Sequence, residues 1–409
     1  MPTSTDILII GAGAAGLHAG FLLHQQGIDF RILEAASQYG GRLGKIEGFA
    51  DFPLDTGAQW LHGKKSLVGK LIKSTGTTIT RDKSKERYWF EGRLKKKTPV
   101  DLWGMFEEAD LPDVSYAEYA RQVGLSPAYS HILQAVAGDF GASPESISAY
   151  WKIKEEEAWS SGGKDYKFAR TYFDLIDEQW AQPILEQLIL NTPVTSIDYR
   201  GEKIQVTDSH GGQWEAKQVL ITVPITILKA GDIAFSPALP MDKILAFQHL
   251  GMEAGMKVFL KFSERFYHDA VIGGEQCAAY ADETVGKTGQ DQVLLAFIMG
   301  KQAQRLSDIG SEEKIVAVLL QELDEMYEGK ASSLFQEARV IDWTRHPYIR
   351  GAYSYSTVGM GTARAVAAQA VNGKLFFAGE AMALNGHHQT VHGAAESAAR
   401  EVNRMLQLA

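Results

Sequence analysis

The sequence predicts an α/β fold in which a Rossmann-like nucleotide-binding domain carries an inserted α+β domain. Residues 6–34 have the pattern of a strand, a tight glycine turn, a helix and a second strand. Strand-like runs return at 194–199 and 375–378, after stretches richer in charge, aromatic residues and helical spacing. With 409 residues the chain is too long for one ordinary core, so two domains are expected.

Each predicted element follows from its local pattern. Residues 7–10 are a continuous apolar run, which is typical of a strand buried on both faces of a parallel sheet. Small residues from Gly11 to His24 indicate a closely packed helix, and residues 30–33 form the next strand. Further along, the pattern predicts a hairpin at 88–94, strands at 204–208, 218–223, 256–262 and 293–299, and helices at 312–328 and 393–406.

The order of these elements indicates a discontinuous arrangement, because no repeat or low-complexity linker marks a boundary. The nucleotide-binding domain is predicted to comprise residues 1–65, 186–236 and 340–409. The inserted, substrate-binding domain is predicted to comprise residues 66–185 and 237–339.

Composition narrows the functional class. The net charge of -9 argues against general affinity for nucleic acid or an anionic membrane. A single cysteine, Cys277, cannot form an internal disulfide, which favours a reducing compartment. The first strand begins at Ile7, which leaves no room for a signal peptide, and no apolar run is long enough for a membrane helix. We therefore expect a soluble, cytoplasmic protein; its oligomeric state is not predicted.

The glycine turn after the first strand has the G-x-G-x-x-G spacing, with Gly11, Gly13 and Gly16. The first glycine allows a tight turn, the second lets a pyrophosphate approach the backbone, and the third allows the helix to pack closely. The helix N-terminus would then supply N–H groups to the phosphates. Glu34 ends the next strand, where a carboxylate can accept both ribose hydroxyls and would repel the 2′-phosphate of NADP.

Three further motifs distinguish a flavin site from a nicotinamide site. Gly40-Gly41-Arg42 places an arginine where it can meet a pyrophosphate. Residues 55–60 form a glycine-containing turn suited to a planar ring, and residues 377–380 are a strand that ends on glycine and a carboxylate. Together the four motifs resemble the flavin-containing amine oxidase superfamily, and the resemblance covers nearly the whole chain.

The resemblance implies an extended FAD bound by an amine-oxidase-type Rossmann-like domain. Glu34 would hold the ribose, Arg42 the phosphates and Glu380 the ribityl or phosphate region. The helix that begins near Thr390 would face the flavin pyrimidine with its positive end. The implied cofactor-binding residues are Gly11, Gly13, Ala15, Gly16, Glu34, Ala35, Gly41, Arg42, Gly57, Ala58, Gln59, Trp60, Val194, Trp343, Gly379, Glu380, Thr390, Val391 and Ala394.

Three residues are implied in catalysis. In the family, a lysine at the position of Lys257 holds a water against flavin N5; the alternative is a lysine on an exposed strand face. Tyr353 resembles the tyrosine that lies over the reactive face of the ring, and His62 resembles the histidine that lines the tunnel of polyamine oxidases. Core packing for the aromatic residues and a surface turn for His62 remain alternatives.

Two departures from the monoamine oxidases qualify this picture. Thr390 stands where they have a second cage tyrosine, and Ala352 stands where they have the cysteine that links the flavin, so a non-covalent cofactor is expected. The sequence of residues 390–394 is more similar to that of the lysine-specific histone demethylases. The basic tails and the helical tower of those enzymes are missing from this chain, so a chromatin role is not expected. No metal is predicted, although His387, His388 and His392 cluster in sequence.

The implied function is oxidation of a small-molecule amine, with O2 as the electron acceptor and hydrogen peroxide as a product. A polyamine is favoured because the sequence of residues 57–63 resembles that of spermine and acetylpolyamine oxidases. Acidic residues at 107, 108, 110 and 155–157 could attract a distal ammonium group of such a substrate. Two alternatives stay open. The chain could be a desaturase or porphyrinogen oxidase of the same fold, or a flavin-binding protein without turnover.

Overall fold

The computed structural model describes residues 3–108 and 110–408. The strands are β1 Thr3–Ile10, β2 Phe30–Leu33, β3 Lys45–Ile46, β4 Leu54–Asp55, β5 Trp60–His62, β6 Ile79–Arg81, β7 Glu86–Phe90, β8 Arg93–Lys95, β9 Asp165–Phe168, β10 Leu188–Ile189, β11 Val194–Asp198, β12 Ile204–Asp208, β13 Gln213–Ile221, β14 Ala234–Ser236, β15 Leu250–Met252, β16 Gly255–Phe262, β17 Ala270–Ile272, β18 Ala279–Asp282, β19 Gln292–Met299, β20 Phe335–Asp342, β21 Ser354–Ser356 and β22 Leu375–Phe377. The helices are α1 Ala14–Gln25, α2 Leu67–Thr75, α3 Leu102–Met105, α4 Tyr116–Gln122, α5 Ser130–Gly138, α6 Ala149–Glu156, α7 Tyr172–Ile176, α8 Ile225–Ala230, α9 Met241–Gln248, α10 Gly300–Ile309, α11 Glu312–Tyr327, α12 Lys330–Leu334, α13 Ala363–Ala367 and α14 Val391–Leu408.

The first sheet has the strand order β10-β2-β1-β13-β12-β11-β14, and β22 also pairs with β13. Its centre is parallel: β1 lies between β2 and β13, and β13 continues in parallel with β22. The antiparallel strands β12 and β11 extend it on one side. The apolar run at 7–10 is buried as predicted, and this sheet confirms the α/β, Rossmann-like fold.

Two helices from opposite ends of the chain cover one face of this sheet. α1 and α14 pack side by side through buried small and apolar residues, including Leu17, Ala19, Ala398 and Val402. The prediction that α1 begins at Gly11 was wrong, because the helix starts at Ala14 and the preceding glycines form the turn.

The second sheet has the strand order β20-β16-β19-β18-β17-β7-β8. β16 is buried along nearly its whole length, since β19 and β20 flank it and α10 packs on it. α11 begins after Ser311, whose side chain caps the helix by accepting from the N–H of Lys314, and it buries Leu319 and Leu323 against the sheet. The predicted hairpin at 88–94 is formed by β7 and β8.

The strands of the first sheet come from three separate stretches of chain, residues 3–33, 188–236 and 375–377. The second sheet takes its strands from residues 86–95 and 255–342, so β20 crosses the predicted boundary at residue 340. The domain limits themselves remain a prediction. Within the described parts of the chain, no helix combines the length and the apolar character needed to cross a membrane.

Candidate active site

A cavity of about 1450 Å³ runs from the glycine turn after β1 to the helices α3–α6. It is larger than the roughly 300–1,000 Å³ typical of a single small-ligand pocket, so it has room for a long cofactor and a substrate. Its wall contains every residue that was predicted to bind the cofactor or to act in catalysis, except Gly16. These residues are Gly11, Gly13, Ala15, Glu34, Ala35, Gly41, Arg42, Gly57, Ala58, Gln59, Trp60, His62, Val194, Lys257, Trp343, Tyr353, Gly379, Glu380, Thr390, Val391 and Ala394.

Gly16 lies away from the wall, although the motif assigned it to the cofactor. A Cβ atom at this position would come within 1.9 Å of the carbonyl oxygen of Gly11. Glycine is therefore required because the first turn of α1 packs directly on the loop, and no ligand contact is needed to explain it.

The nucleotide end of the cavity is built around Glu34. Its carboxylate accepts hydrogen bonds from the N–H groups of Ala12 (2.6 Å) and Ala36 (2.9 Å), and its side chain still faces the cavity. Burial raises the pKa of this carboxyl, and the backbone donors only partly offset that effect. The carbonyl of Glu34 also accepts from the N–H of Thr192 at 2.8 Å, which brings Val194 to the same part of the wall.

The first turn of α1 leaves N–H groups available to a ligand. The helix begins after Gly13, which provides no side-chain cap, and Gly13 and Ala14 both line the cavity. A Cβ atom at Gly13 would meet nothing within 4 Å, so the backbone is open to the cavity here. This arrangement suits a phosphate group, which fits the phosphates of a dinucleotide cofactor.

Arg42 and Glu380 lie in the middle of the cavity wall and form an ion pair at 3.0 Å between Nη1 and Oε1. The same Nη1 donates to the carbonyl of Ala352 at 2.8 Å. The remaining guanidinium N–H groups are left for other partners. Although burial alone would raise it, the pKa of Glu380 is lowered by the charge of Arg42 and the hydroxyl of Ser354.

Helix α14 begins at the wall of the cavity. The Thr390 hydroxyl accepts from the N–H of Gly393 at 2.9 Å and donates to the carbonyl of His387 at 2.7 Å, so it caps the helix and ties down the preceding loop. Thr390, Val391 and Ala394 line the cavity. The positive end of an 18-residue helix therefore points at this region, where it would stabilise negative charge on a bound ring.

Lys257 is 3% exposed and lies on β16 with its amine at the cavity wall. The amine donates to the carbonyls of Asp55 (3.0 Å) and Gly57 (2.6 Å) and to Oε1 of Gln59. These acceptors belong to the turn that was predicted to approach the ring. Burial lowers the pKa of Lys257 to about 8, against the opposing effect of the carboxylates of Glu283 and Asp55.

Three aromatic residues present apolar surface to the cavity. Their polar atoms are used within the protein: Trp60 Nε1 donates to Asp82, Trp343 Nε1 donates to the carbonyl of Thr56, and the Tyr353 hydroxyl donates to the carbonyl of Asp139 at 3.0 Å. The Tyr353 hydroxyl is thus engaged by the protein backbone, and burial raises its pKa.

His62 lies on the wall in β5, opposite Asp165 of β9. Its Nδ1 is 2.8 Å from the Asp165 carboxylate. The side chain keeps 43% of its surface accessible because it faces the open cavity, while protein surrounds it on the other sides. That enclosure tends to lower the pKa of His62, but the carboxylate of Asp165 outweighs it and raises the pKa.

The sequence identified the acidic part of the wall only in part. Glu107 and Glu156 do line the cavity, whereas Glu155 is buried in an ion pair with Arg364. Asp139 and Asp165, which also line the cavity, were missed because they lie in the inserted region, where the family resemblance is loose. Burial raises the pKa of Asp139.

Within the histidine cluster, His387 is held by contacts with the protein. His387 Nδ1 lies 2.6 Å from the Glu396 carboxylate, and the N–H of Ser160 donates to His387 Nε2. His388 and His392 line the cavity. Across residues 3–108 and 110–408, no group of three or more His, Cys, Asp or Glu side chains is arranged to hold a metal ion.

Comparison with protein families gives two matches. Residues 92–406 match the family described as flavin containing amine oxidoreductase, which is well over half of the chain. Residues 9–73 match an NAD(P)-binding Rossmann-like domain, which contains the glycine turn and Glu34.

Individual relatives agree with the family match. The chain is 29% identical to the human lysine-specific histone demethylase 2 over 98% of its own length, but it spans only 53% of that protein, about half. It is 26% identical to polyamine oxidase 5 of Oryza sativa subsp. japonica, over 98% of this chain and 88% of the relative.

Solved structures show the same fold. A putrescine oxidase bound to putrescine superposes with a TM-score of 0.83 at 20% identity, covering 100% of both chains. The cyclohexylamine oxidase from Brevibacterium oxydans superposes with a TM-score of 0.80 at 20% identity, covering 98% of this chain and 99% of the other. The family match and the cavity built for a dinucleotide lead to one conclusion: this chain belongs to the flavin-containing amine oxidase superfamily, and its cofactor is FAD.

Proposed function

We propose that this chain is an FAD-dependent amine oxidase that favours a polyamine-like substrate. The observation that carries the proposal is the buried Lys257, whose amine lies on the cavity wall beside the turn at 55–59. Trp343 is bonded to the same turn, and the Trp60 ring lies 5.9 Å from the lysine amine. The relatives named polyamine oxidase and putrescine oxidase support this class of reaction.

When bound, FAD would supply a hydride acceptor for the α-carbon of an amine, with water as the reactant that hydrolyses the oxidised amine and O2 as the terminal oxidant that yields H2O2. The protein binds, orients and dehydrates the substrate. Trp60, Trp343 and Tyr353 line the cavity, and their rings would exclude water from the reacting carbon. Because desolvation disfavours an ammonium ion, this wall favours the neutral amine, whose lone pair makes the neighbouring hydride labile.

We propose that His62 takes the proton that the substrate ammonium gives up. The Asp165 carboxylate can only accept, so Nδ1 of His62 carries a proton in this contact and Nε2 is left as the basic atom. We propose His62, Lys257 and Tyr353 as the catalytic set, with Tyr353 acting through its ring face because its hydroxyl bonds to the backbone.

The acidic wall supports a substrate with more than one ammonium group. Glu107, Asp139, Glu156 and Asp165 line the same cavity. Lys152 pairs with Glu156 at 2.6 Å and neutralises part of this charge. Asp139 follows α5, where Tyr353 donates to its carbonyl and Gln389 donates to the carbonyl of Phe140 at 2.9 Å, so its backbone is fixed. A carboxylate carried by this fixed backbone would bind a distal ammonium.

The test is peroxide release by the purified, FAD-loaded protein, with 1,4-diaminobutane and 1-aminobutane as a pair matched in length. We expect kcat/KM for the diamine to be at least about 10-fold higher, because a charge-assisted hydrogen bond contributes about 1.5–3 kcal/mol. Polyamines, other monoamines and amino acids complete the panel. Equal kcat/KM values for the matched pair would contradict the polyamine preference.

Asp139→Asn locates the source of that preference. It should lower kcat/KM for the diamine by about 10-fold and leave that of the monoamine within about twofold. Glu157→Gln is the matched control, since Glu157 follows the wall residue Glu156 in sequence but pairs with Lys154 outside the cavity wall. An equal loss for both amines would indicate a structural role for Asp139.

Anaerobic bleaching of the bound flavin separates the amine oxidase from its alternatives. Bleaching by amines supports the proposal, whereas bleaching only by apolar polyenes or porphyrinogens indicates a desaturase or porphyrinogen oxidase. A flavin that no amine bleaches, with no peroxide released, indicates a binding protein without turnover.

Cys277 is the chain's single cysteine and lies outside the cavity wall, which supports a non-covalent FAD.

A further inference from the structure

We infer that Glu283 is a positioning residue: through the amide of Gln59, it fixes the ammonium group of Lys257 at the cavity wall. The inference rests on the proposed function only in the role given to Lys257. Glu283 is 2% exposed and follows β18, and the sequence patterns gave no indication of it.

The contacts of Glu283 determine which way the Gln59 amide faces. Its Oε1 accepts from Gln59 Nε2 at 2.7 Å and from Lys167 Nζ at 3.2 Å. A carboxylate can only accept hydrogen bonds, so Gln59 must present its NH2 group to Glu283. The amide oxygen of Gln59 then necessarily faces the other way, toward Lys257.

This orientation completes the hydrogen bonds of Lys257. An ammonium group has three donors, and here they go to the carbonyls of Asp55 and Gly57 and to the Gln59 oxygen. A flipped Gln59 would direct its own donors at the ammonium, which leaves Lys257 one acceptor short. In a buried site, an unsatisfied charged donor is costly, so the amine would move or lose its proton.

The charge of Glu283 acts in the same direction as its effect on the Gln59 amide. Burial lowers the pKa of Lys257, the carboxylates of Glu283 and Asp55 raise it, and the ammonium groups of Lys167 and Lys287 lower it. Glu283 is the largest of the effects that raise it. Its negative charge therefore favours the protonated form of Lys257, in addition to the orientation that it gives to Gln59.

The first test is titration of Lys257 in the resting, oxidised holoprotein, followed by NMR with 13C at lysine Cε and assigned with Lys257→Met. In Glu283→Gln the midpoint should fall by about one pH unit, because a buried negative charge close to the ammonium is removed. Glu322→Gln is the matched control: Glu322 is also a buried carboxylate with backbone and tyrosine donors, but it lies outside the cavity wall. It should leave the midpoint unchanged.

The second test is reoxidation of the chemically reduced holoprotein by O2 in a stopped-flow instrument, which requires no substrate. The pH profile of the rate should move to lower pH in Glu283→Gln, and in the Lys257→Met background the same substitution should change the rate by less than about twofold. If Glu283→Gln fails to fold, Gln59→Met provides the readout, since it removes the oxygen that Glu283 directs at Lys257, and it should also lower the midpoint.

The outcomes separate this inference from the proposed function. A Lys257 midpoint that is the same in the parent and in Glu283→Gln overturns the inference, whatever the activity. A lowered midpoint supports the inference. If a lowered midpoint is found in a protein that releases no peroxide with any amine, the inference stands and the proposed oxidase activity is overturned.

Discussion

Two buried lysines, one at the cavity and one away from it, have similar surroundings at first sight. Lys257 is 3% exposed and Lys243 is 2% exposed. Each amine donates to three oxygen atoms. Lys257 bonds to the turn at 55–59, while Lys243 bonds to the carbonyls of Val366, Ala367 and Gln369, where α13 ends. Each amine also lies near an aromatic ring. The amine of Lys243 is 3.9 Å from the ring centre of Phe377.

The difference lies in what else each lysine can reach. Lys243 binds carbonyls at the buried C-terminal end of α13, where a helix itself provides few partners, and it lies outside the cavity wall. Lys257 lies on the wall and connects through Gln59 to the carboxylate of Glu283. Burial with satisfied donors therefore identifies a lysine that the fold needs. Access to a cavity and a link to charged partners identify one that can also serve chemistry.

Replacing Lys257 by methionine should give the largest effect on function. We expect FAD to remain bound, while reoxidation by O2 slows by about 100-fold, the size of effect found when one preorganised electrostatic group is removed. Stopped-flow reoxidation of the reduced protein measures this, and the absorbance of the purified protein checks FAD content. Reoxidation at the parent rate would remove Lys257 from its proposed role.

Replacing Lys243 by methionine should affect stability and leave chemistry alone. The carbonyls where α13 ends would lose their donor in a buried site, so the free energy of unfolding should fall by about 2 kcal/mol. Urea unfolding measures the loss, and kcat per bound flavin should stay within about twofold of the parent value. In Lys257→Met the loss of stability should be smaller, since water can reach the turn from the cavity. A kcat per bound flavin that falls by more than about twofold in Lys243→Met would contradict the assignment of Lys243 to stability alone.

The pH dependence of stability should show a smaller effect. Burial lowers the pKa of Lys243 from 10.5 to about 7. Below pH 7 both the folded and unfolded states carry the proton, and between about 7 and 10.5 only the unfolded state keeps it. The folded state is therefore favoured increasingly as pH rises through this window, by up to about 1 kcal/mol per pH unit.

This increase in the free energy of unfolding with pH comes from the titration of Lys243, so it should be absent in Lys243→Met. Urea unfolding at pH 7.5, 8.5 and 9.5 should show the difference in unfolding free energy between the parent and the variant growing with pH. Groups that titrate in both proteins cancel in that difference. A difference that stays constant or shrinks would contradict the assigned shift.

The sequence predicted the fold well because its strongest patterns are local. The apolar strand, the glycine turn and Glu34 lie within one βαβ unit of about thirty residues, and the structure places them as expected. The start of α1 was misplaced by three residues, since a run of small residues does not show where a turn ends and a helix begins.

The site was predicted less completely, because its partners are distant in sequence. Gln59 and Glu283 bond across 224 residues, and no local pattern reveals such a contact. Asp139 could not be separated from other acidic residues before the position of α5 was known. Glu155 lies in a run of three glutamates, yet its pairing with Arg364 removes it from the role proposed for that run.

The sheet that begins with β1 also needs β22, and the cavity wall also needs the start of α14. Arg42 meets Glu380 across 338 residues. A nascent chain can therefore form the glycine turn early, but it cannot close the FAD site until β22 and α14 have left the ribosome. Incorporation of the cofactor is expected to be a late event that joins segments more than 300 residues apart in the sequence, and a chain interrupted before residue 391 should be unable to retain the flavin.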